Sequence, residues 1–404
     1  MRIECIAIGT ELLTTRRMDT NSVWLSERLA AMGLAFHRKT AVGDDRGDLA
    51  ALFREALDRS DFIVCTGGLG PTFDDFTKEL WAETLGVPLK ENAECRADLL
   101  AWYARRNRVP SENNFKQVML PEGSEPLINP LGSAPGVWWE WQGRRIVMLP
   151  GVPREMKHMW EERVEPRLRP LAGKAVHTLR MVVAGVPESA LDERTQPLRE
   201  KHSALEWIIL ASLHQVELLA RGPDAAAIEA ARKDFEALLG PDLARVGTGD
   251  LEDAVLDGLR ARGETLSVAE SMSGGLLAAR LTAIPGSSDV FLGGATVYSA
   301  GAKTALADVD PDLIARHRTV SEAVTDALAA GIRSRLGSTW ALAITGNAGP
   351  GEDRSGPAPV GTTFITLAGP GGLERRALTF PGDREDIRLR ACAWALDLLR
   401  RKLI

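Results

Sequence analysis

The sequence predicts an α/β protein in three parts: a parallel-sheet domain at the N-terminus, a small α+β module in the middle and a second α/β domain at the C-terminus. Three observations predict it. The chain has 404 residues, more than one hydrophobic core usually organises. Strand-like and helix-like segments alternate through 1–168, the pattern of a parallel sheet with helices on both faces, and strands and helices mix again through 251–404. Between them, over about 170–247, the order strand, helix, two strands, helix fits a small α+β module.

In the first part, Ile3 to Ile8 reads as a buried strand closed by Gly9. Thr20-Asn21-Ser22 offers helix-capping side chains, and Trp24, Leu25, Leu29 and Met32 then form one apolar face. Residues 34–42 predict a strand and 46–58 a helix. Phe62 to Cys65 predicts a third strand that runs into Gly67-Gly68-Leu69-Gly70-Pro71. Helices are expected over 75–86 and 92–106. Arg145 to Leu149 is a further strand, ending in Pro150-Gly151-Val152-Pro153. Ligands of parallel sheets bind at the carboxyl ends of strands, and both Gly/Pro loops sit there.

The middle module predicts strands at 178–184, 205–210 and 215–221 and helices at 188–201 and 225–239. Ala211-Ser212-Leu213-His214 is a short hairpin-like link, and Gly247 to Asp250 reads as a linker. The last part predicts a helix over Leu251–Arg262, then a strand at 266–269 that meets Glu270-Ser271-Met272-Ser273-Gly274-Gly275. A helix to about Leu281 and a strand over Val290–Tyr298 follow. Ser321 caps a helix to Leu336, with Val324, Leu328 and Ile332 on one side. Trp340–Thr345 predicts a strand entering a Gly/Pro-rich loop at 346–361. Strands at Thr362–Leu367 and Arg375–Phe380 and a helix from Arg384 complete the chain. No period of 20–50 residues repeats.

Composition excludes several classes. The net charge of −6 argues against direct nucleic-acid contact or attraction to an anionic membrane. Trp138, Trp139 and Trp141 cluster without an interleaved Arg/Lys stripe, so local core and hairpin packing is expected. The four cysteines, at 5, 65, 95 and 392, form no CxxC pair, and the six histidines are scattered. A zinc site is therefore not expected, and buried free thiols fit a reducing compartment. No signal-peptide pattern and no apolar run of membrane-span length occurs, so a cytoplasmic location is expected.

Chemistry concentrates in the last third. Ser271 and Ser273 lie on a glycine-rich strand-to-helix turn, whose backbone N–H groups can stabilise a phosphate or an oxyanion. Ser287 and Ser288 follow Pro285-Gly286. Tyr298 and Lys303 stand five residues apart, and Thr345 opens the long loop. No histidine is near in sequence, which disfavours a Ser–His–Asp triad. A lysine replaces histidine as base where burial or nearby positive charge lowers its pKa, and Lys303 is the candidate. In the N-terminal part, Gly67, Gly68 and Gly70 allow a phosphate to approach the backbone. Asp74 and Asp75 offer ligands to Mg2+ or a similar hard cation, or simply complement a helix N-terminus.

The stretch Ala269-Glu270-Ser271-Met272-Ser273-Gly274-Gly275-Leu276-Leu277-Ala278 resembles the signature AESCTGGLLA of the CinA family. Pro285 to Ser288, Val297-Tyr298-Ser299, Ala302-Lys303, Val320-Ser321-Glu322, Ile344-Thr345-Gly346, Ala348-Gly349-Pro350, Val360-Gly361-Thr362 and Gly382-Asp383-Arg384 follow in the family's order. This part is similar to stand-alone nicotinamide mononucleotide amidohydrolases. The resemblance implies release of ammonia from the ligand's carboxamide, without a cofactor. It implies Ser271 as nucleophile, with Ser273 and Ser288 as rivals, and Lys303 as general base. Ser288, Tyr298, Thr345 and Arg384 resemble the surrounding polar and phosphate-contacting positions, and Ser273, Gly274 and Gly275 the substrate-binding turn. Four departures stand out: Met272 for Cys, Ser273 for Thr, Ala300-Gly301 for Asn-Glu, and Asn347 where Ile is common.

Gly9 to Leu13, Asp19 to Ser22, Thr66 to Thr72, Asp74-Asp75, Glu112-Asn113-Asn114, Ala134-Pro135-Gly136 and Leu149 to Pro153 resemble the N-terminal half of the same family. That half is similar to the molybdopterin-binding fold. It implies a phosphate cradle at Gly67, Gly68 and Gly70 and metal-dependent ADP-ribose pyrophosphatase activity, with Asp74 and Asp75 at the metal. The segment 170–247 resembles the family's KH-type connector but has no GxxG loop, which implies a connector or dimer contact. The family likeness also implies a homodimer. Two non-catalytic alternatives accompany it: an adaptor in competence and DNA damage, or a molybdopterin binder.

Overall fold

A fully buried apolar run needs cover on both faces, and β1 (Ile3–Ile8), buried along its whole length, obtains it at the centre of a six-stranded sheet. The computed structural model describes residues 1–172, 176–212, 215–351 and 358–404, which form two compact units, Met1–Val176 and His177–Ile404. Leu213 and His214 of the expected hairpin link, and residues 352–357 of the long loop, lie outside the described residues.

The first unit contains β1, β2 (Phe36–Val42), β3 (Phe62–Thr66), β4 (Leu89–Glu91), β5 (Met119–Pro121), β6 (Glu125–Leu127), β7 (Gly136–Trp141) and β8 (Arg144–Leu149). The main sheet has the order β2-β1-β3-β8-β7-β6. Its first four strands are parallel, as expected; β7 runs antiparallel to β8, and β6, antiparallel to β7, returns to the direction of the first four. The expected parallel sheet is thus present, extended at one edge by a hairpin strand. Gln142 and Gly143, both at positive φ, join β7 to β8 in a two-residue turn, which permits only an antiparallel pair. The tryptophan cluster is β7. Trp138 and Trp139 point to opposite faces, Trp138 beside Phe62 in one core and Trp139 in the other. Asp19, not the Thr20-Asn21-Ser22 run, caps the helix Thr20–Ala31: its carboxylate accepts from Ser22 N at 2.9 Å.

Lys78, in the helix Thr77–Leu85, is fully buried and donates to the Gln117 carbonyl at 2.6 Å. Burial pushes its pKa down to about 8. Between that value and the unfolded one the native state has released a proton that the unfolded chain still holds, so stability rises with pH there. We expect the first unit to gain roughly 3 kcal/mol between pH 8 and 10.5 from this group. Chemical denaturation of wild type and Lys78→Met across that window checks it. Equal slopes for the two proteins would contradict it.

The second unit begins with an antiparallel sheet of order β10-β11-β9-β12, made of β9 (His177–Ala184), β10 (Glu206–Ala211), β11 (Gln215–Gly222) and β12 (Leu243–Val246). The short β12 escaped the sequence reading because it abuts the glycine linker. The larger sheet has the order β14-β13-β15-β16-β17, made of β13 (Leu266–Glu270), β14 (Phe291–Thr296), β15 (Trp340–Gly346), β16 (Thr362–Gly369) and β17 (Gly372–Thr379). β13 is parallel to β14 and β15, and the last two strands are antiparallel. Two helices, Ala300–Ala307 and Pro311–His317, were not expected from sequence. Among the described residues, no helix is long and apolar enough to cross a membrane. All four cysteines are buried and free, and burial pushes Cys65 up to about 12.

Within this unit the helix Arg384–Leu403 grips the β9–β12 module. Buried Arg400 bonds Asp397 at 2.6 Å and the carbonyls of Pro241 at 2.6 Å and Leu243 at 3.2 Å. Removing Arg400 leaves Asp397 only its bond to Arg401 at 2.9 Å and takes the donor from two carbonyls, so Arg400→Ala is expected to cost about 3 kcal/mol in urea denaturation. A loss below about 1 kcal/mol, the scale of an exposed pair, would show that this contact is incidental.

Candidate functional site

β13 delivers Ser271 to the carboxyl edge of the larger sheet, where the chain turns through Ser271–Gly275 into the helix Leu276–Thr282. The turn requires glycine: Gly275 sits at φ 94°, a conformation that a side chain would strain. Glu270 holds it from beneath. Its buried carboxylate accepts from Gly275 N and Leu277 N at 3.0 Å and from Ala278 N at 2.8 Å. These are N–H groups of a helix start, where a negative charge is favoured. The family signature contains Glu270, but its capping role was not read from sequence. An acidic residue just before a helix was the available signal.

Lys303 lies in the helix Ala300–Ala307, capped by Ser299, and is fully buried. Its Nζ is 2.9 Å from Ser271 Oγ and donates to the Val297 carbonyl at 2.6 Å. Ser271 is 8% exposed and lines a cleft of about 160 Å3 with Met272, Tyr298, Asn347, Ala348 and Arg384. A hydroxyl in a cleft thus stands over a buried amine. At the rim, the Arg384 guanidinium donates to Tyr298 Oη at 2.9 Å and to the Gly349 carbonyl at 2.6 Å.

Three expected residues take other places. Ser273 is fully buried and outside the cleft lining, and its carbonyl is held by Arg388 at 2.7 Å. Ser288 is exposed in the turn Ser287–Asp289 that precedes β14. Because β14 runs parallel to β13, that turn belongs to the opposite edge of the sheet from Ser271. The sequence grouping of Ser288 with Ser271 is therefore corrected within this chain. Thr345 is fully buried at the end of β15, and its hydroxyl is 2.7 Å from that of Thr325. It joins strand to helix and does not line the cleft.

The departures also have structural roles. Met272 is buried, with its Sδ close to Gly346, where no side chain competes. Asn347 organises the loop it opens: Nδ2 donates to the carbonyls of Gly351 at 3.0 Å and Ala358 at 2.8 Å, and Oδ1 accepts from Gly349 N at 2.9 Å. An Asn in a Gly/Pro-rich loop commonly does this. Ala300 and Gly301 begin the helix that carries Lys303.

In the first unit, the ends of β1, β3 and β8 open on a cleft of about 540 Å3. Gly67, Gly68 and Gly70 form one wall. Gly67, at φ 105°, lies so close to the Ile8 carbonyl that a Cβ would collide with it. Five carboxylates (Glu11, Asp44, Asp74, Asp75 and Glu155) face the cleft against one guanidinium, that of Arg17. The Thr72 hydroxyl bonds both Asp74 and Asp75, and this bond holds the Asp74 carboxyl below the usual carboxylate range. These oxygen donors suit a hard cation. Among the described residues no three His, Cys, Asp or Glu side chains converge as a ready-made cage. Mg2+ is commonly held by only one or two carboxylates, with water and the ligand's own phosphates completing its shell.

Fold and sites together define a two-unit α/β protein with a serine–lysine cleft in one unit and a glycine-walled acidic cleft in the other. The family model of the CinA C-terminal domain matches residues 248–403, and that of the probable molybdopterin binding domain matches 4–170. A CinA-like protein of Myxococcus xanthus is 41% identical, over 100% of this chain and 99% of the relative. One from Koribacter versatilis is 40% identical, over 100% of both. A crystal structure of the protein CinA, of unknown function, from Thermoplasma acidophilum is 33% identical over 40% of this chain and 94% of that one, with a TM-score of 0.36. The chain belongs to the CinA family.

Proposed function

We propose that the second unit hydrolyses the carboxamide of nicotinamide mononucleotide to nicotinic acid mononucleotide and ammonia. The observation that carries this reading is the 2.9 Å approach of Lys303 Nζ to Ser271 Oγ at the cleft. A base within that distance of a hydroxyl can take its proton as the oxygen attacks. General-base action uses the neutral amine, which burial favours over the charged form in general.

In the proposed reaction the Ser271 proton passes to Lys303 Nζ, and Oγ adds to the carboxamide carbon. The N–H groups of Met272 and Ser273, which follow the nucleophile on the glycine turn, are the candidate oxyanion donors. Lys303 then returns the proton to the departing nitrogen, which leaves as ammonia. Water, deprotonated by the same amine, hydrolyses the Ser271 ester to the carboxylate and restores the hydroxyl. In this reading the pyridine carboxamide would enter the cleft, while Arg384 at the rim would face the ribosyl phosphate. Incubating the purified protein with nicotinamide mononucleotide should yield ammonia and nicotinic acid mononucleotide in equal amounts. No ammonia above the protein-free control would reject the reading.

A second reading is favoured by the glycine wall and the five carboxylates of the first unit. An anionic ligand would enter so acidic a cleft with a cation. We propose that this unit binds ADP-ribose and cleaves its pyrophosphate, with Asp74 and Asp75 holding Mg2+ or a similar ion. When bound, that ion would supply neutralisation of the phosphate charge. Cleavage of ADP-ribose should stop on chelation and in Asp75→Ala. Persistence in both would reject the metal site.

A further inference from the structure

Two side chains hold the turn that carries Ser271. Glu270 takes the N–H groups of Gly275, Leu277 and Ala278. Arg388 takes the carbonyl side: Ser273 O accepts from its Nη2 at 2.7 Å and its Nε at 3.2 Å, and also from Leu276 N at 3.3 Å. The Arg388 side chain is half-buried, and among the described residues it pairs with no carboxylate. Two N–H groups of one cation therefore meet a main-chain carbonyl two residues after the nucleophile. Hydrogen bonds from a charged donor are about twice as strong as neutral ones, so this bond fixes the turn firmly.

Arg388 also shares its helix with the rim of the cleft. Arg384, one turn earlier on the helix Arg384–Leu403, donates to Tyr298 Oη at 2.9 Å and to the Gly349 carbonyl at 2.6 Å. Residues four apart lie on one side of a helix. The start of this helix is well defined: the Asp383 carboxylate caps it, accepting from Glu385 N at 2.8 Å and Asp386 N at 3.0 Å. Ile387 and Ala391 are fully buried in the same core as Met272 and Leu277. A single capped and packed helical turn thus joins a guanidinium at the cleft mouth to the backbone that presents Ser271.

We propose that Arg388 is a positioning residue that couples the phosphate of the substrate to the placement of Ser271. A phosphate at Arg384 restrains the helix start. Arg388, one turn on, passes that restraint to the Ser273 carbonyl and so holds Ser271 Oγ over Lys303 Nζ. Binding energy from a part of the substrate that does not react is thereby used to orient the reacting groups, which raises kcat and not only affinity. The inference rests on the amidase reading of this cleft, with Arg384 facing the phosphate.

Steady-state kinetics of the full chain on nicotinamide mononucleotide and on nicotinamide riboside, the same carboxamide without the phosphate, test it. In wild type the mononucleotide should have a kcat at least about tenfold above that of the riboside. In Arg388→Met, which approximates the side-chain length and removes the donors, that ratio should collapse towards one. The KM for the mononucleotide should stay within about threefold, because Arg384 remains. Arg388→Lys keeps the charge with a single donor group and should show the same one-sided loss at smaller size, which also serves if the Met variant does not fold. A merely structural role would lower kcat on both substrates by one factor and leave the ratio in place, and that result would overturn the proposal. So would equal kcat for the two substrates in wild type, although the amidase reading would stand. No ammonia from either substrate with wild type would reject the amidase reading and this inference with it.

Discussion

Lys303→Met is expected to lower ammonia release from nicotinamide mononucleotide by about a thousandfold, in the range that a general base contributes. The amine is fully buried, and its Nζ reaches both Ser271 Oγ and the Val297 carbonyl. Methionine approximates its length without a site for the proton. Groups that act as a unit are not additive in their loss, so Ser271→Ala with Lys303→Met should be little worse than either alone. Steady-state rates for the two single variants and the double variant, with circular dichroism as the folding check, measure this. Rates that multiply across the pair would show that serine and lysine do not act on one proton.

The second large effect is expected at Glu270, which touches no substrate. Its carboxylate takes the N–H groups of Gly275, Leu277 and Ala278. Glu270→Ala leaves these buried donors open at a helix start, a loss of about 3 kcal/mol or more. Because Ser271 is the next residue, turnover should fall with stability. Glu270→Gln retains one acceptor oxygen and should lie between. Urea denaturation gives the stability and ammonia release the activity. If Glu270→Ala were as stable as wild type, the carboxylate would not be what holds the turn.

Where the chain's own pattern is local and strong, structure follows sequence closely. The buried run Ile3–Ile8 is a strand with those bounds, and Leu251–Arg262 is a helix with those bounds, closed by Gly263 in the left-handed region. Ser271 and Lys303 were also readable as a pair, since a glycine turn and a lysine after the next strand meet when two parallel strands are neighbours. What sequence did not show depends on the third dimension. Ser288 follows a Pro-Gly turn like a site residue, but strand direction alone sends it to the far edge. Thr345 precedes the site loop, yet the pleat turns its side chain inward to Thr325. The helix Ala300–Ala307 has too little apolar contrast to reveal its period, so the element that positions Lys303 emerged only from the fold.

Ammonia release by Ser271→Ala, measured beside Ser273→Ala, tests the central claim most directly. Ser271 lines the cleft at 2.9 Å from the amine, whereas Ser273 is buried away from it. Loss of turnover in Ser271→Ala, with turnover kept in a folded Ser273→Ala, is the predicted result. Wild-type turnover in a folded Ser271→Ala would contradict it.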